Sequence, residues 1–125
     1  MEKTRKNVDS INKVHAFYSK KYPGSFGDTD TYLYTLCFEA AGMHRLMMRI
    51  GQPGMSDKEQ LAAVKYWSKM TGLFKNIDTG ENITGFPESF EGVMQFMDRF
   101  EKDGLENATA RNGNYCGASD FAAIR

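Results

Sequence analysis

The chain has 125 residues, of which 41% are hydrophobic and 13% aromatic, so it can bury a single core without disulfides or a structural metal. Its 16 Lys and Arg residues balance 16 Asp and Glu residues, and a formal net charge of zero disfavours nucleic acid as a partner. The longest apolar stretch, residues 33–50, is interrupted by Glu39, His44, Arg45 and Arg49, which excludes an ordinary membrane-spanning helix.

The start of the chain and its cysteines suggest an intracellular protein. The opening Met-Glu-Lys-Thr-Arg-Lys is charged and has no apolar segment behind it, so it is not typical of a signal peptide. Cys37 and Cys116 show neither the CxxC pattern nor zinc-ligand spacing. We interpret them as free thiols in a reducing compartment, although the sequence does not decide whether they pair.

Apolar residues recur at helical spacing near the amino terminus. Val8, Ile11, Val14 and Tyr18 are three or four residues apart, which predicts a helix from residue 6 to about residue 22. His15 lies on the same stripe. A Pro-Gly pair then ends the helix, because proline cannot continue the hydrogen-bond ladder.

The second predicted helix is the most apolar. It begins at Asp28, Thr29 or Asp30, each able to accept a hydrogen bond from a free backbone amide, and it ends before Gly51. His44 points to its apolar side. The apolar face comprises Leu33, Leu36, Cys37, Ala40, Met43, Met47 and Ile50, and the narrower polar seam comprises Thr35, Glu39, Gly42, Arg45 and Arg49.

Two further helices follow. Ser56 and Glu59 form a capping box that predicts the start of a third helix, and this helix is predicted to end before Gly72. Residues 76–85 are predicted to form an irregular loop. Pro87 suits the first turn of a last helix, and Lys-Asp-Gly at residues 102–104 suits its end. The apolar repeat of this helix is Phe90, Val93, Met94, Met97 and Phe100.

These elements predict an all-α fold with a four-helix core. The helical domain covers residues 1–104, and residues 105–125 are expected to form an irregular tail, because they are rich in Asn, Gly and Ala without strong periodicity.

The histidines are the main candidates for chemistry, because no nucleophilic triad, phosphate-binding loop or carboxylate pair is present. Burial keeps the imidazoles of His15 and His44 neutral, which suits binding to iron or zinc. A core histidine bonded to a carbonyl or hydroxyl is the alternative. A zinc site would need further ligands near the two histidines, and the sequence offers none. A haem needs only one histidine nitrogen for its iron, together with an apolar slot for the macrocycle. Such a slot would use residues that otherwise fill the core: Met43, Met47, Phe74, Met94 and Met97.

Three other positions have weaker interpretations. Glu39 interrupts an apolar run, but its place on the polar seam favours a solvated or partner-facing carboxylate over a buried base. Trp67 is expected to anchor the core. Arg45 and Arg49, one turn apart, form either a solvated face or a partner for a propionate or phosphate.

Several short motifs occur in a familiar order. The first helix has the form Val-x-x-Ile-x-x-Val-His, ending at His15, and the Pro-Gly turn and acidic cap are followed by Leu-Tyr-Thr-Leu-Cys-Phe-Glu, ending at Glu39. Met-Ser-Asp-Lys-Glu at residues 55–59, Tyr66-Trp67, and Gly-Leu-Phe running into Ile77 come next. Together they resemble the rubber oxygenase (latex-clearing protein) and endoplasmic-reticulum-bound oxygenase family.

The resemblance implies a fold, a cofactor and a site. Members of that family are helical and partly globin-like, hold haem b through a histidine, and use dioxygen to cleave double bonds in polyisoprenoid chains. It implies that His15 is the proximal iron ligand, with His44 as a second cofactor-binding candidate, and Glu39 matches an acidic family position without an assigned role. Family members carry a long segment before this point, so the chain corresponds to their C-terminal part.

Two functions are therefore predicted. The first is a haem-dependent oxygenase-like domain that acts on an unsaturated isoprenoid or lipid-like substrate. The alternative is a non-catalytic helical subunit or interaction module of a larger assembly, because a partial helical fold exposes apolar surface that usually contacts another protein. The expected partner is accordingly a hydrophobic small molecule or another protein subunit, in a homo- or hetero-oligomer.

Overall fold

The computed structural model describes residues 2–110 and the side chains of residues 2–105. This part of the chain contains four helices: α1 (Glu2–Lys21), α2 (Thr29–Arg49), α3 (Asp57–Thr71) and α4 (Phe90–Ala110). Its only extended pairing is an isolated bridge between Lys75 and Asn82, so the all-α, four-helix prediction is confirmed. None of these helices is long and apolar enough to cross a lipid bilayer.

The starts of α2 and α3 confirm the caps predicted from sequence. Asp28 caps α2, and its carboxylate accepts hydrogen bonds from the Asp30 N–H at 3.1 Å and the Thr31 hydroxyl at 2.8 Å. In the capping box of α3, the side chains of Ser56 and Glu59 each accept the backbone N–H of the other at 3.3 Å. Both caps are local interactions, which is why short motifs were sufficient to locate them.

α1 begins at Glu2, earlier than the predicted start at residue 6. Residues 2–5 add little to the apolar stripe, but Glu, Lys and Arg are good helix formers, and an acidic residue in the first turn interacts favourably with the helix dipole. Apolar periodicity alone therefore underestimates the length of this helix.

α4 differs from the prediction at both ends. Pro87 precedes the helix, and Ser89 makes the capping bonds: its hydroxyl accepts the Gly92 N–H and its carbonyl accepts the Val93 N–H, both at 3.0 Å. Gly104 does not end α4, because glycine costs only about 1 kcal/mol relative to alanine inside a helix. The predicted tail is thus helical from its first residue to the end of α4, and its remainder, residues 111–125, lies outside the described residues.

The core forms around the first half of α2, which packs against both α3 and α4. The predicted apolar face of α2 is buried only in this half, at Leu33, Leu36, Cys37 and Ala40. In the second half, Met43 and Ile50 are 67% and 62% exposed, because no described element covers them. The other core side chains come from α3, α4 and the segment between them: Val64, Ile83, Phe86, Val93 and Met97.

α1 lies apart from this core. No Cα atom of α1 lies within 8 Å of a Cα atom in another helix, and its only buried side chains are Val8 and Asn12. The Asn12 amide donates to the Leu73 carbonyl at 3.1 Å, and its side-chain oxygen accepts the Lys75 N–H at 3.2 Å. The buried Val8 side chain and hydrogen bonds to the chain after α3 therefore hold α1, and its backbone stays farther from α2 and α3 than those two helices are from each other.

The predicted irregular loop at residues 76–85 has a defined structural role. The side chain of Asn76 is 3% exposed, and its amide donates to the Gly27 carbonyl at 3.0 Å. The Ser19 hydroxyl donates to the Asp78 carboxylate at 2.9 Å. Through these two hydrogen bonds, the loop holds the end of α1 close to the start of α2.

Candidate functional site

A groove of about 580 Å³ occupies the gap between α1 and the α2–α3 pair. Small-molecule sites commonly have volumes of roughly 300 to 1,000 Å³. We call it the aromatic groove, because its wall contains five aromatic side chains: Phe26, Tyr32, Tyr66, Trp67 and Phe74. Aliphatic residues from the three helices complete the apolar part of the wall: Val8, Ile11, Leu36 and Met70.

Helical spacing brings the wall together. Val8, Ile11 and His15 are three and four residues apart on α1, so they share one face, and all three line the groove. Tyr32 and Leu36, four residues apart on α2, line the opposite side. The stripe that predicted α1 is therefore only partly covered: Val8 and Ile11 contribute to the groove wall, whereas Val14 and Tyr18 are exposed outside it.

His15 lies against two of the aromatic rings. Its ring centroid is 5.1 Å from that of Phe26 and 5.8 Å from that of Tyr32, and the Tyr32 hydroxyl donates to the Phe26 carbonyl at 2.9 Å. Burial lowers the pKa of His15, so the imidazole is neutral at pH 7. Its Nδ1 atom is shielded from solvent and has no hydrogen-bond partner among the described residues. Because buried polar atoms are usually paired, this nitrogen marks the His15 end of the groove as a candidate site.

His44 lies in a different place and does not line the aromatic groove. Its Nδ1 atom accepts the Met55 N–H at 2.9 Å, and its ring contacts that of Phe90 edge to face, with centroids 5.0 Å apart. Gly54 passes so close to the imidazole that any Cβ atom there would clash with it. His44 therefore joins α2, the α2–α3 loop and the start of α4, and the structure does not bring the two histidines together.

The charged part of the groove wall is entirely acidic. Asp28 and Glu39 line it, and no Lys or Arg in the described part of the chain does. Asp28 uses its carboxylate to cap α2. Glu39 is exposed, as its place on the polar seam predicts, and it forms no hydrogen bond or ion pair with another described residue. The groove thus combines an apolar wall with two carboxylates, and Glu39 is the one without a partner among the described residues.

The residues proposed to line a haem slot do not gather in one place. Met97 is fully buried in the core and Met94 packs against it, which agrees with the alternative interpretation as core filling. Met43 is 67% exposed on α2. Only Phe74 of that set lines the aromatic groove, and Met47 does not. Periodicity identifies the apolar face of each helix but not which neighbour covers it.

Arg45 belongs to a polar cluster that sequence reasoning missed. Both of its terminal nitrogens donate to the Glu101 carboxylate of α4, and the Tyr34 hydroxyl donates to the same carboxylate at 2.6 Å. Tyr34 also stacks on Phe100, with centroids 4.4 Å apart. The Arg45 guanidinium lowers the pKa of Glu101, and burial raises the pKa of Tyr34. The partners are 56 residues apart in sequence, so no pattern within one helix could reveal them.

The described residues offer neither a reactive thiol nor a cluster of metal ligands. Cys37 is fully buried in the core, and burial raises its pKa to about 12, so the thiol stays protonated and is a poor nucleophile. No group of three or more His, Cys, Asp or Glu side chains in the described range is arranged to hold a metal ion. The titratable side chains that line the groove, apart from its tyrosines, are His15, Asp28 and Glu39.

No protein-family model and no curated protein matches this chain. The resemblance to the oxygenase family therefore stays a prediction based on its short motifs. Several residues of those motifs line the aromatic groove: His15, Glu39, Tyr66, Trp67 and Phe74. The motifs, although distant in sequence, thus contribute to one site.

The groove meets only part of what haem b requires. His15 is neutral and lies beside an apolar wall, as an axial ligand would. Nδ1 of His15 has no acceptor among the described residues, and the described part of the groove wall holds no Lys or Arg that could pair with the propionates. Haem b therefore stays a prediction that rests on the resemblance.

Proposed function

We propose that the chain binds an apolar small molecule in the aromatic groove. The observation that carries this proposal is a groove of about 580 Å³ with five aromatic side chains in its wall and an unpaired His15 nitrogen at its edge. An open groove of this volume with a mostly apolar wall and a few polar groups is typical of small-molecule sites.

The exposure of the wall supports an occupant from solution. Ile11 is 40% exposed and Tyr66 is 52% exposed, although both lie on the groove. Removing apolar surface from water contributes roughly 25 cal/mol per Å², so a ligand that covers these side chains gains affinity from burial alone. An isoprenoid or lipid-like chain, the substrate class that the resemblance implies, is apolar along its length and matches this wall.

Trp67 provides a direct assay, because it is the only tryptophan in the chain and lines the groove. Titration with decyl maltoside, a neutral amphiphile kept below its micelle concentration, is expected to change the Trp67 emission in a saturable way. Thr35→Phe, which fills the groove from α2, should abolish this change. Thr84→Phe, on an exposed loop outside the groove, is the matched control and should keep it.

Two results would contradict the proposal. One is an emission change that rises linearly without saturation, which would indicate non-specific adsorption. The other is a saturable change that persists unaltered in Thr35→Phe, because binding would then occur elsewhere. Circular dichroism of both variants checks that the helices are intact.

A second candidate, an interaction module, is favoured by the exposed half of α2. Five apolar side chains in or next to this half are between 49% and 67% exposed: Phe38, Met43, Leu46, Met48 and Ile50. Contiguous apolar surface often marks a protein interface, and with a net charge of zero two copies of the chain do not repel each other. This candidate predicts a dimer by light scattering that Leu46→Glu converts to a monomer. A wild-type monomer at every concentration would contradict it.

A further inference from the structure

We infer that the occupant of the aromatic groove is a cationic amphiphile, with its apolar chain along the groove and an alkylammonium group near Glu39. This inference rests on the proposed function and adds the chemical class of the ligand. It follows from the charges of the groove wall and from the geometry of its aromatic rings.

The first argument is the sign of the charge that lines the groove. Of the two carboxylates that line the groove, Glu39 has no partner among the described residues, whereas Asp28 accepts hydrogen bonds at the start of α2. No described Lys or Arg lines the groove, and His15 is neutral. A fatty acid or a phosphorylated isoprenoid would therefore bring an anion to a carboxylate without any basic group to hold it, whereas a cation would pair with Glu39.

The second argument is the geometry of the aromatic wall. The rings of Tyr66 and Trp67 meet edge to face, with centroids 5.2 Å apart and planes at 89°, and we call this pair the Tyr66–Trp67 corner. The faces of aromatic rings, indole above all, attract cations that approach within about 6 Å, and sites for quaternary ammonium groups are lined by several aromatic rings. Tyr66 is 52% exposed, so its ring is accessible to a ligand.

The third argument excludes a general electrostatic effect. The chain has a formal net charge of zero, so the protein as a whole does not attract cations over anions. A preference for a cation in the groove would therefore come from the local groups, namely Glu39 and the Tyr66–Trp67 corner.

The test compares three ligands that share a decyl chain and differ only in the head group. Decyltrimethylammonium, decyl maltoside and decyl sulfate are titrated below their micelle concentrations at low ionic strength, with Trp67 emission as the readout. We expect the cation to bind about five-fold more tightly than the neutral ligand, because an exposed charge pair and a cation–π contact each contribute modestly. Decyl sulfate should bind more weakly than the neutral ligand.

Two variants assign the preference to Glu39. Glu39→Gln should reduce the preference for decyltrimethylammonium over decyl maltoside to about two-fold, because only the cation–π contact then remains, and it should leave the affinity for the neutral ligand unchanged. Glu88→Gln removes an exposed carboxylate outside the groove and should leave the preference intact. Raising the ionic strength should narrow the difference between the cationic and neutral ligands, because salt screens exposed charges.

The outcomes separate this inference from the proposed function. If the neutral ligand binds saturably but the cation binds no more tightly, or if Glu39→Gln keeps the full preference, the inference is overturned and the apolar site stands. If none of the three ligands produces a saturable change, both are overturned. Glu39 is exposed and glutamine is a good helix former, so this variant is expected to fold.

Discussion

The two sides of α2 are built differently. On the side of α4, Cys37, Val93 and Met97 are 0% exposed and form a closed core. On the side of α1, by contrast, Ile11 and Val14 remain 40% and 52% exposed, although the apolar stripe of α1 is as regular as that of α4. A regular stripe therefore shows that a helix has an apolar face, but it does not show that another helix covers this face.

This difference has an energetic consequence. Fully burying a large apolar side chain stabilises the folded state by roughly 1.5 to 3 kcal/mol, whereas a hydrogen bond contributes about 1 kcal/mol net. α4 buries several large apolar side chains, whereas α1 buries one, Val8, and adds the hydrogen bonds of Asn12. Weakly held elements open before the core does, so α1 is the side of the molecule that can admit a ligand.

Truncation of one side chain on each side of α2 tests this contrast most strongly. Met97→Ala should lower the free energy of unfolding by about 3 kcal/mol, because it leaves a cavity in a closed core. Ile11→Ala should cost less than about 1 kcal/mol, since the side chain is already partly exposed. Urea denaturation followed by circular dichroism measures both. Equal losses would mean that α1 packs as closely as α4.

Removal of the Asn12 side chain should have the next largest effect. Asn12→Ala leaves the Leu73 carbonyl and the Lys75 N–H without their partner, at a cost of about 2 kcal/mol. Hydrogen exchange should accelerate in α1 well before it does in α2. Ser10→Ala, which removes only an exposed bond within α1, is the control. Uniform acceleration in both helices would indicate that α1 opens only when the whole chain unfolds.

Local signals explain what the sequence could predict of the fold. The caps at Asp28 and Ser56 and the stripes on all four helices depend on residues within one or two turns, and these predictions are confirmed. The end of α4 was missed because a Lys-Asp-Gly sequence permits a stop without requiring one. Pro87 was predicted to lie in the first turn of α4, but it precedes the helix, because Ser89 caps the helix start.

The candidate site was harder to predict, because it depends on residues far apart in sequence. His15 was identified from its place on an apolar stripe, and its neutral state is consistent with that reasoning. The separation of His44 from the groove was not predictable, since both histidines lie on apolar faces. The pairing of Arg45 with Glu101 was likewise hidden, because it needs the packing of α2 against α4.

The Arg45–Glu101 pair allows a sharper test of how the α4 side is held. A double-mutant cycle with Arg45→Met and Glu101→Gln should give a coupling of about 1 kcal/mol, kept small by the partial exposure of Glu101. Because the pKa of Glu101 is lowered in the folded state, this contribution is present above its unfolded pKa and is lost as the pH falls. Zero coupling at neutral pH would show that the ion pair contributes nothing to the stability of the fold.

The smallest expected effect concerns the α1 side and the titration of His15. Its pKa lies below the ordinary value of 6.5 because burial disfavours the imidazolium, so below pH 6.5 the unfolded chain takes up this proton more readily than the folded chain. The free energy of unfolding should therefore fall as the pH is lowered through this range, and fall less in His15→Gln. Identical pH dependence in the two proteins would contradict this prediction. It would mean that folding does not desolvate the His15 ring, although its Nδ1 atom is shielded from solvent.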